Sequence, residues 1–375
     1  MKACGIIAEY NPFHKGHIYQ ITETRKKTGC DVMIAVMSGH FTQRGEPAVI
    51  DKWSRAEAAV RGGIDLVLEL PYIHAVQSAS HFAKGGVEVL KKAGISYLSF
   101  GSECGNLENL KEIAETPVNP DHLHQSLSAG MSFPKAYSLL TGEMMPNDIL
   151  AVCYLKELMD TDIEPVLIPR TSSYNDDEMR EVSSALAIRT ALKKGLDLSD
   201  STPMKDILTG SFHPWMELYY PYLRTFLLMT DKERLSSFFL FSEGIENHLI
   251  EKAERNDTWD SFLKDAVTYR YTASRIRRTC LQALNQITKE EVSRLPEHDA
   301  VRVLAFNETG RAYLREMKES QTKFACRFAD IPRPWRLMEY KTTMLYSSVF
   351  PEEERKHLLH EEVTGATFVS VNQDN

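Results

Sequence analysis

The sequence predicts an α/β fold in which a doubly wound parallel sheet precedes a mainly helical C-terminal domain. Within the first 198 residues, short β-rich runs alternate with helical stretches, which is the order that parallel strands joined by right-handed crossovers require. From about residue 200, strand-like alternation nearly disappears and helical periodicity dominates. Because 375 residues exceed one ordinary hydrophobic core, we divide the chain into domains at residues 1–198 and 199–375.

Five apolar runs are predicted to be the strands of the first domain, and they cover residues 3–9, 31–37, 64–70, 95–100 and 164–168. Helical patterns fill the intervals between them, and glycines stop two of these helices at Gly62 and Gly94. The predicted helices are 17–27, 52–61, 78–92, 134–140, 147–159 and 179–194.

The second domain is predicted from amphipathic helical patterns, which lie at residues 232–242, 244–255, 258–285 and 289–293. A mixed pattern from residue 300 onward suggests an additional small α/β lobe.

Composition narrows the class of protein. No run of about 18 apolar residues is present, so we expect no membrane partner. The six cysteines are widely spaced, which favours reduced thiols and a cytoplasmic location. The net charge of −8 argues against non-specific nucleic-acid binding by the whole surface, although it allows a local basic face.

The segment after the first predicted strand carries the strongest functional signal. In open parallel sheets, ligands bind at the carboxyl ends of strands, and Pro12 and Gly16 frame the turn at that edge. His14 and His17 are three residues apart and therefore share one face at the start of the next helix, where unpaired N–H groups attract phosphate. Imidazole donors at this place can stabilise charge on the α-phosphate of ATP during attack.

Two other interpretations of the histidines exist. A histidine pair at helical spacing is often a surface or structural feature, but its position after the first strand argues against this. Zinc usually takes three protein ligands, and the sequence offers no third partner at motif spacing, so no metal ligand is named.

The segment His14-Lys15-Gly16-His17 resembles the signature of the HIGH superfamily of nucleotidylyltransferases and class I synthetases. A second superfamily signature is similar to residues 184–189, in which Ser184 and Arg189 match and Arg189 is placed to reach phosphate. Ala185 and Leu186 depart from it, and the alternative is an ordinary amphipathic helix. The resemblance implies that the sheet is of the HIGH nucleotidylyltransferase type.

Longer stretches resemble the bacterial tRNA(Met) cytidine acetate ligase family, and they cover residues 5–14, 35–48, 65–71, 100–103, 146–150, 271–278 and 302–307. The resemblance implies that acetate attacks the α-phosphorus of ATP to give acetyl-adenylate and diphosphate. The exocyclic amine of the wobble cytidine in elongator tRNA(Met) then takes the acetyl group and releases AMP. It also implies that residues 1–198 form the adenylation domain and 199–375 the tRNA-binding domain. Mg²⁺ is expected to accompany ATP.

The resemblance also assigns residues. His14 and His17 are expected to be catalytic. The expected ATP-binding residues are Ile7, Ala8, Glu9, Tyr10, Asn11, Pro12, Phe13, His14, Lys15, Gly16, His17, Ile18, Tyr19, Gln20, Gly101, Asn147, Arg170, Ser184 and Arg189. Three of these have plain alternatives: Gly101 as a turn glycine, Asn147 as the N-cap of a helix, and Arg170 as a surface arginine.

Positive charge concentrates at residues 270–278, and the predicted tRNA-binding residues there are Tyr271, Arg275, Arg277 and Arg278. Arginine suits phosphate, and an aromatic ring can stack on an unpaired base. The alternative is a solvated helix face with local ion pairs.

Two other functions share the same nucleotide site. One is a cofactor-type nucleotidylyltransferase, in which the adenylyl group stays in the product and no large helical domain is needed. The other is a nucleotide- or RNA-binding module without turnover.

Overall fold

The computed structural model describes residues 1–117, 144–170, 184–198, 201–320 and 322–371. The helix predicted at 134–140 and the first part of the one predicted at 179–194 lie outside these residues.

One sheet organises the described part of the chain, and its eight strands there follow the order β5-β4-β1-β2-β3-β6-β7, with β8 paired to β6. Strands β1 to β5 are parallel, and the strand order reverses at β1, so the predicted doubly wound parallel sheet is confirmed. The strands are β1 Ala3–Ala8, β2 Val32–Ser38, β3 Leu66–Leu70, β4 Tyr97–Ser102, β5 Glu164–Pro169, β6 Ala300–Phe306, β7 Lys323–Ala325 and β8 Thr367–Phe368.

Helices cover the sheet because its central strands are apolar on both sides: every residue of β2 and β3 is buried. The helices of this part are α1 Lys15–Thr28, α2 Lys52–Arg61, α3 Tyr72–Ala75, α4 Ala79–Lys92, α5 Leu107–Glu115, α6 Pro146–Leu158 and α7 Ala185–Lys193.

A second hydrophobic core belongs to the helical part of the chain. The predicted helix at 258–285 is two helices, because Val267 ends the first and Thr272 caps the second with its side chain.

No helix in the described ranges is long and apolar enough to cross a membrane. The helices are α8 Lys205–Gly210, α9 Met216–Met229, α10 Lys232–Ser237, α11 Ile245–Arg255, α12 Trp259–Ala266, α13 Ala273–Asn285, α14 Lys289–Ser293, α15 Glu308–Glu316, α16 Arg333–Ser347 and α17 Glu352–Val363.

The small α/β lobe suggested after residue 300 is not a separate unit. Strand β6 pairs antiparallel with β3, and β7 and β8 pair with β6, so these strands extend the first sheet. The run Ala300–Phe306 is almost entirely buried, and the open edge of β3 supplies the backbone partners that such a strand needs. The division at residue 198 stays a prediction.

Four buried charges join the sheet to the C-terminal helices. Lys52 Nζ lies 2.6 Å from Glu69 Oε1 and 2.8 Å from Glu362 Oε2, and Arg302 Nη1 contacts both carboxylates. Thr343 also donates its hydroxyl to Glu362. Because each charge meets opposite charges on other elements, the cluster ties α2, β3, β6 and α17 together.

We predict that Lys52→Met lowers the free energy of unfolding by about 3–5 kcal/mol, because it leaves buried carboxylates short of a partner. Lys356→Met is the matched control, since Lys356 pairs with Glu352 and Glu353 at the surface and should contribute less than about 1 kcal/mol. Urea unfolding measures both. Equal changes in the two variants would contradict the assigned role of the cluster.

Candidate active site

The turn between β1 and α1 lies at the carboxyl edge of the sheet, where the strand order reverses. Tyr10 has a φ of 47°, and the Asn11–Pro12 peptide bond is cis. The Asn11 side-chain oxygen accepts a hydrogen bond from the Val49 N–H (2.8 Å). The Asn11 backbone carbonyl accepts one from Arg189 Nη1 (2.8 Å). The turn is therefore held from both sides before the helix begins.

His14 and His17 cap α1 with their own rings. The Nδ1 atom of His14 accepts from the Gly16 N–H (3.0 Å), and that of His17 accepts from the His14 N–H (3.2 Å). The two ring centroids are 3.7 Å apart. Since each Nδ1 is an acceptor, the neutral rings carry their protons on Nε2. The described residues provide no hydrogen-bond partner for either Nε2, so both remain for a ligand.

Both rings are held neutral. Burial, followed by the charges of Arg170 and Arg189, lowers the pKa of His14 to about 3. Burial, His14 and Arg170 likewise lower the pKa of His17 well below its usual value. The site thus combines two neutral donors, two arginines and the N-terminus of α1, a set that suits a polyanion.

Arg170 and Asn147 meet through a residue that the sequence analysis did not single out, Glu103. The Asn147 side chain and backbone N–H both donate to the Glu103 carboxylate, and Arg170 Nε lies 4.0 Å from it. The N-cap alternative for Asn147 is wrong, because the helix begins at Pro146 with Met145 as its N-cap. Glu103 could have been identified from the sequence by its position, because an acidic residue follows the predicted fourth strand.

Gly101 lies inside β4 and pairs with Ile168, so the turn-glycine alternative is also wrong. A Cβ on Gly101 would lie 3.4 Å from Cγ of Arg170. This is an ordinary van der Waals distance, so the packing of Arg170 across the strand does not depend on glycine at this position.

The second predicted signature lies at the start of α7. Ser184 caps this helix through a hydrogen bond from the Ala187 N–H (3.1 Å), and Arg189 reaches the turn at Asn11. Of the segment 7–20, Tyr10 and Phe13 are buried and pack against His17. These two side chains support the histidine ring from behind.

Arg55 is a further residue that the sequence analysis missed. Its guanidinium is fully buried and donates to the backbone carbonyls of Glu9, Ser38, Gly39 and Ile50. It therefore gathers the carboxyl ends of β1 and β2. An arginine among the apolar positions of α2 was the signal that could have found it.

The predicted tRNA-binding residues lie at the start of α13. Tyr271 precedes the helix and is buried, with its hydroxyl donating to the Glu243 carbonyl (3.3 Å). Arg275, Arg277 and Arg278 are partly exposed. Arg275 donates to the Leu240 carbonyl and the Ser242 hydroxyl, Arg277 forms an ion pair with Glu46, and Arg278 donates to the Gln43 carbonyl.

Metal ligands are sparse in the described ranges, where no group of three or more His, Cys, Asp or Glu side chains is arranged to hold an ion. Magnesium in nucleotide sites is commonly held by substrate phosphates, water and one or two carboxylates, and such a site needs no larger protein cluster.

Comparison with known proteins gives concordant results. A model of the HIGH Nucleotidyl Transferase family matches residues 1–361. A Limosilactobacillus reuteri protein named tRNA(Met) cytidine acetate ligase is 38% identical over 95% of this chain and 98% of its own length. The Anoxybacillus flavithermus protein of the same name is 37% identical over 94% of this chain and 96% of its own length.

Two solved structures share the fold. Both are crystal structures of Thermotoga maritima TmcAL, both are 32% identical, and each match covers 99% of this chain and 100% of the solved chain. The TM-score is 0.88 for the apo form and 0.85 for the form bound with alpha-thio ATP.

We predict that His14 stays neutral, with its proton on Nε2, from pH 8 down to pH 5. Its folded pKa of about 3 lies below the unfolded value near 6.5, so the ring contributes stability above pH 6.5 that is lost as the pH falls toward 3. Nitrogen-15 NMR of the histidine side chains, with His14→Asn to assign the signal, measures both features. A midpoint near 6.5, or a proton on Nδ1, would contradict the capping geometry.

Proposed function

The chain belongs to the HIGH nucleotidyl transferases and, among them, to the tRNA(Met) cytidine acetate ligase family, and from this premise we propose that it joins acetate to the wobble cytidine of elongator tRNA(Met) at the expense of ATP. The pair of Nε2–H donors at the start of α1 is the observation that supports this most directly, because donors fixed before the substrate binds are what phosphoryl chemistry requires.

In the first step, a carboxylate oxygen of acetate attacks the α-phosphorus of ATP. The bond from that phosphorus to the bridging oxygen breaks, and diphosphate leaves with the electron pair. His14 and His17 donate to oxygens of the triphosphate as negative charge shifts during this step, and Arg170 and Arg189 add positive charge. No proton has to move, which agrees with rings that stay neutral.

In the second step, the exocyclic amine of the cytidine attacks the carbonyl carbon of acetyl-adenylate. The bond from that carbon to the phosphate oxygen breaks, AMP leaves, and the amine loses one proton to solvent. Arg275, Arg277 and Arg278, with Tyr271, are the residues proposed to contact the tRNA. Their concentration at the start of α13 is what an acidic protein needs to attract RNA locally.

Magnesium and location complete the proposal. Mg²⁺ is proposed to enter with ATP and to screen the phosphate charge, with most of its ligands coming from phosphates and water. The cytoplasm is the proposed location, because tRNA is the substrate.

The test is incubation with ATP, labelled acetate and unmodified tRNA(Met), followed by analysis of the nucleosides. The proposal requires label in cytidine, together with AMP and diphosphate. A cofactor-type nucleotidylyltransferase would instead leave AMP covalently in the product, and a binding module would leave ATP intact.

We predict that His14→Asn slows acetate-dependent adenylation about 10²–10³-fold, the usual effect of losing one fixed donor to a developing charge. Asparagine retains an acceptor for the Gly16 N–H, so the cap and the melting temperature should be preserved. His360→Ala, at an exposed position of α17, is the control and should react like the unchanged protein. Full activity of His14→Asn would exclude the donor role.

We predict that Arg275→Met weakens tRNA binding and lowers the slope of log affinity against log salt by about one unit, because one phosphate contact is lost. Filter binding at several salt concentrations measures this slope, and Arg294→Met at the exposed end of α14 is the control. A loss of tRNA binding without any change of slope would mean that Arg275 acts only through its bonds to Leu240 and Ser242.

A further inference from the structure

Residues 39–48, between β2 and α2, form a closed loop that we call the β2 loop. The Thr42 N–H donates to the Glu46 carbonyl (2.9 Å), the Gly45 N–H donates to the Thr42 carbonyl (2.9 Å), and the Ala48 N–H donates to the His40 carbonyl (2.8 Å). These three bonds fix the shape of the loop, and the backbone N–H and carbonyl of Gln43 form hydrogen bonds with residues outside it.

One side of the β2 loop rests on α13. Gly45 has a φ of +80°, and a Cβ there would lie 2.5 Å from the backbone nitrogen of Arg278. Glycine is therefore required both for the left-handed backbone and for the close approach of the helix. Arg277 pairs with Glu46 at 3.2 Å, and Arg278 Nη1 donates to the Gln43 carbonyl at 3.2 Å.

The other side of the β2 loop reaches the nucleotide site. The Gln43 N–H donates to Oε1 of Glu9 at 2.6 Å, and Glu9 directly follows β1 in the predicted ATP-binding segment. The Gln43 side chain donates to the Gln77 carbonyl (2.9 Å), which fixes the residue at a third point. Gln43 thus links α13 to the end of β1 through the atoms of its own backbone.

We propose that Arg278 is a positioning residue for the nucleotide site, which it reaches through the Gln43 backbone and the Glu9 carboxylate. The inference rests on the proposed function in taking the turn after β1, next to Glu9, as the ATP site. It gives Arg278 a role that does not require tRNA to be bound.

The charges around Glu9 explain why this chain of bonds matters. Burial raises the pKa of the Glu9 carboxyl, whereas the Gln43 N–H and the nearby Arg44 and Arg189 favour its charged form. Arg189 also binds the Asn11 carbonyl in the turn that precedes His14. A displacement of Gln43 would therefore change the position and charge of the Glu9 carboxylate. It would also change the electrostatic environment of Arg189, which holds the turn.

Arg278 itself is suited to a structural task. Burial and the neighbouring Arg275 and Arg44 lower its pKa to about 10, so the guanidinium is still charged at neutral pH. A charged donor on a carbonyl forms a stronger hydrogen bond than a neutral one, and the close packing of Gly45 on the backbone of the same residue limits movement of the pair.

The test measures ATP affinity by calorimetry and acetate-dependent exchange of labelled diphosphate into ATP, both without tRNA. We expect Arg278→Met to weaken ATP binding about tenfold, as for loss of one hydrogen bond from a charged donor. Arg278→Lys keeps a cationic donor and should recover most of the affinity. In a Glu9→Ala background, which already lacks the carboxylate, Arg278→Met should have little further effect.

Arg294→Met controls for removal of an arginine from the same part of the chain. Unchanged ATP affinity in Arg278→Met, or effects of Arg278→Met and Glu9→Ala that simply add, would overturn the proposal. If Arg278→Met does not fold, Arg278→Gln, which removes the charge and shortens the side chain, takes its place, and an ATP affinity equal to that of the unchanged protein would again overturn the proposal. Failure of acetate-dependent exchange in the unchanged protein would refute the proposed function. The role of Arg278 would still be tested by comparing the ATP affinities of the Arg278 variants with that of the unchanged protein.

Discussion

Two hydrogen bonds at the first turn of α1 fix the histidine pair on which the proposed chemistry depends. They run from the backbone N–H groups of Gly16 and His14 to the Nδ1 atoms of His14 and His17, so both imidazoles cap the N-terminus of α1 and their orientation is fixed. The same bonds assign the remaining proton to Nε2, and burial keeps the rings uncharged. Helix capping and the proposed phosphate recognition therefore use the same two rings, and a substitution that disturbs the cap also disturbs the candidate site.

The cap depends in turn on how the sheet edge is assembled. Arg55 draws together carbonyls at the ends of β1 and β2, while Glu103 holds Arg170 and Asn147 beyond β4. Arg55 is fully buried and is satisfied by backbone carbonyls, as low-dielectric surroundings demand, whereas the partly buried Glu103, Arg170 and Asn147 contact one another. The candidate nucleotide site is consequently built from residues that lie far apart in the chain and are joined by hydrogen bonds and ion pairs.

Two of the connections between the helical part of the chain and the sheet differ in character. The buried charges of Lys52, Glu69, Arg302 and Glu362 tie α2 and β3 to β6 and α17. The β2 loop packs on α13 through Gly45 and Gln43. Both connections converge on the carboxyl edge of the sheet, which places the proposed tRNA-binding arginines beside the proposed adenylation site.

Local patterns in the chain were enough to predict the five parallel strands, most of the helices between them and the position of His14 and His17, because apolar periodicity, turn residues and helix starts act over a few residues. The pairing of β6 with β3, the break of the long helix before Tyr271 and the contacts of Arg55, Glu103 and Gln43 required the folded structure. Those features depend on contacts between segments that lie as many as 240 residues apart in sequence (roughly two-thirds of the chain). The hydrogen-bond partners of a buried polar group are set by these long-range contacts and not by its neighbours in sequence.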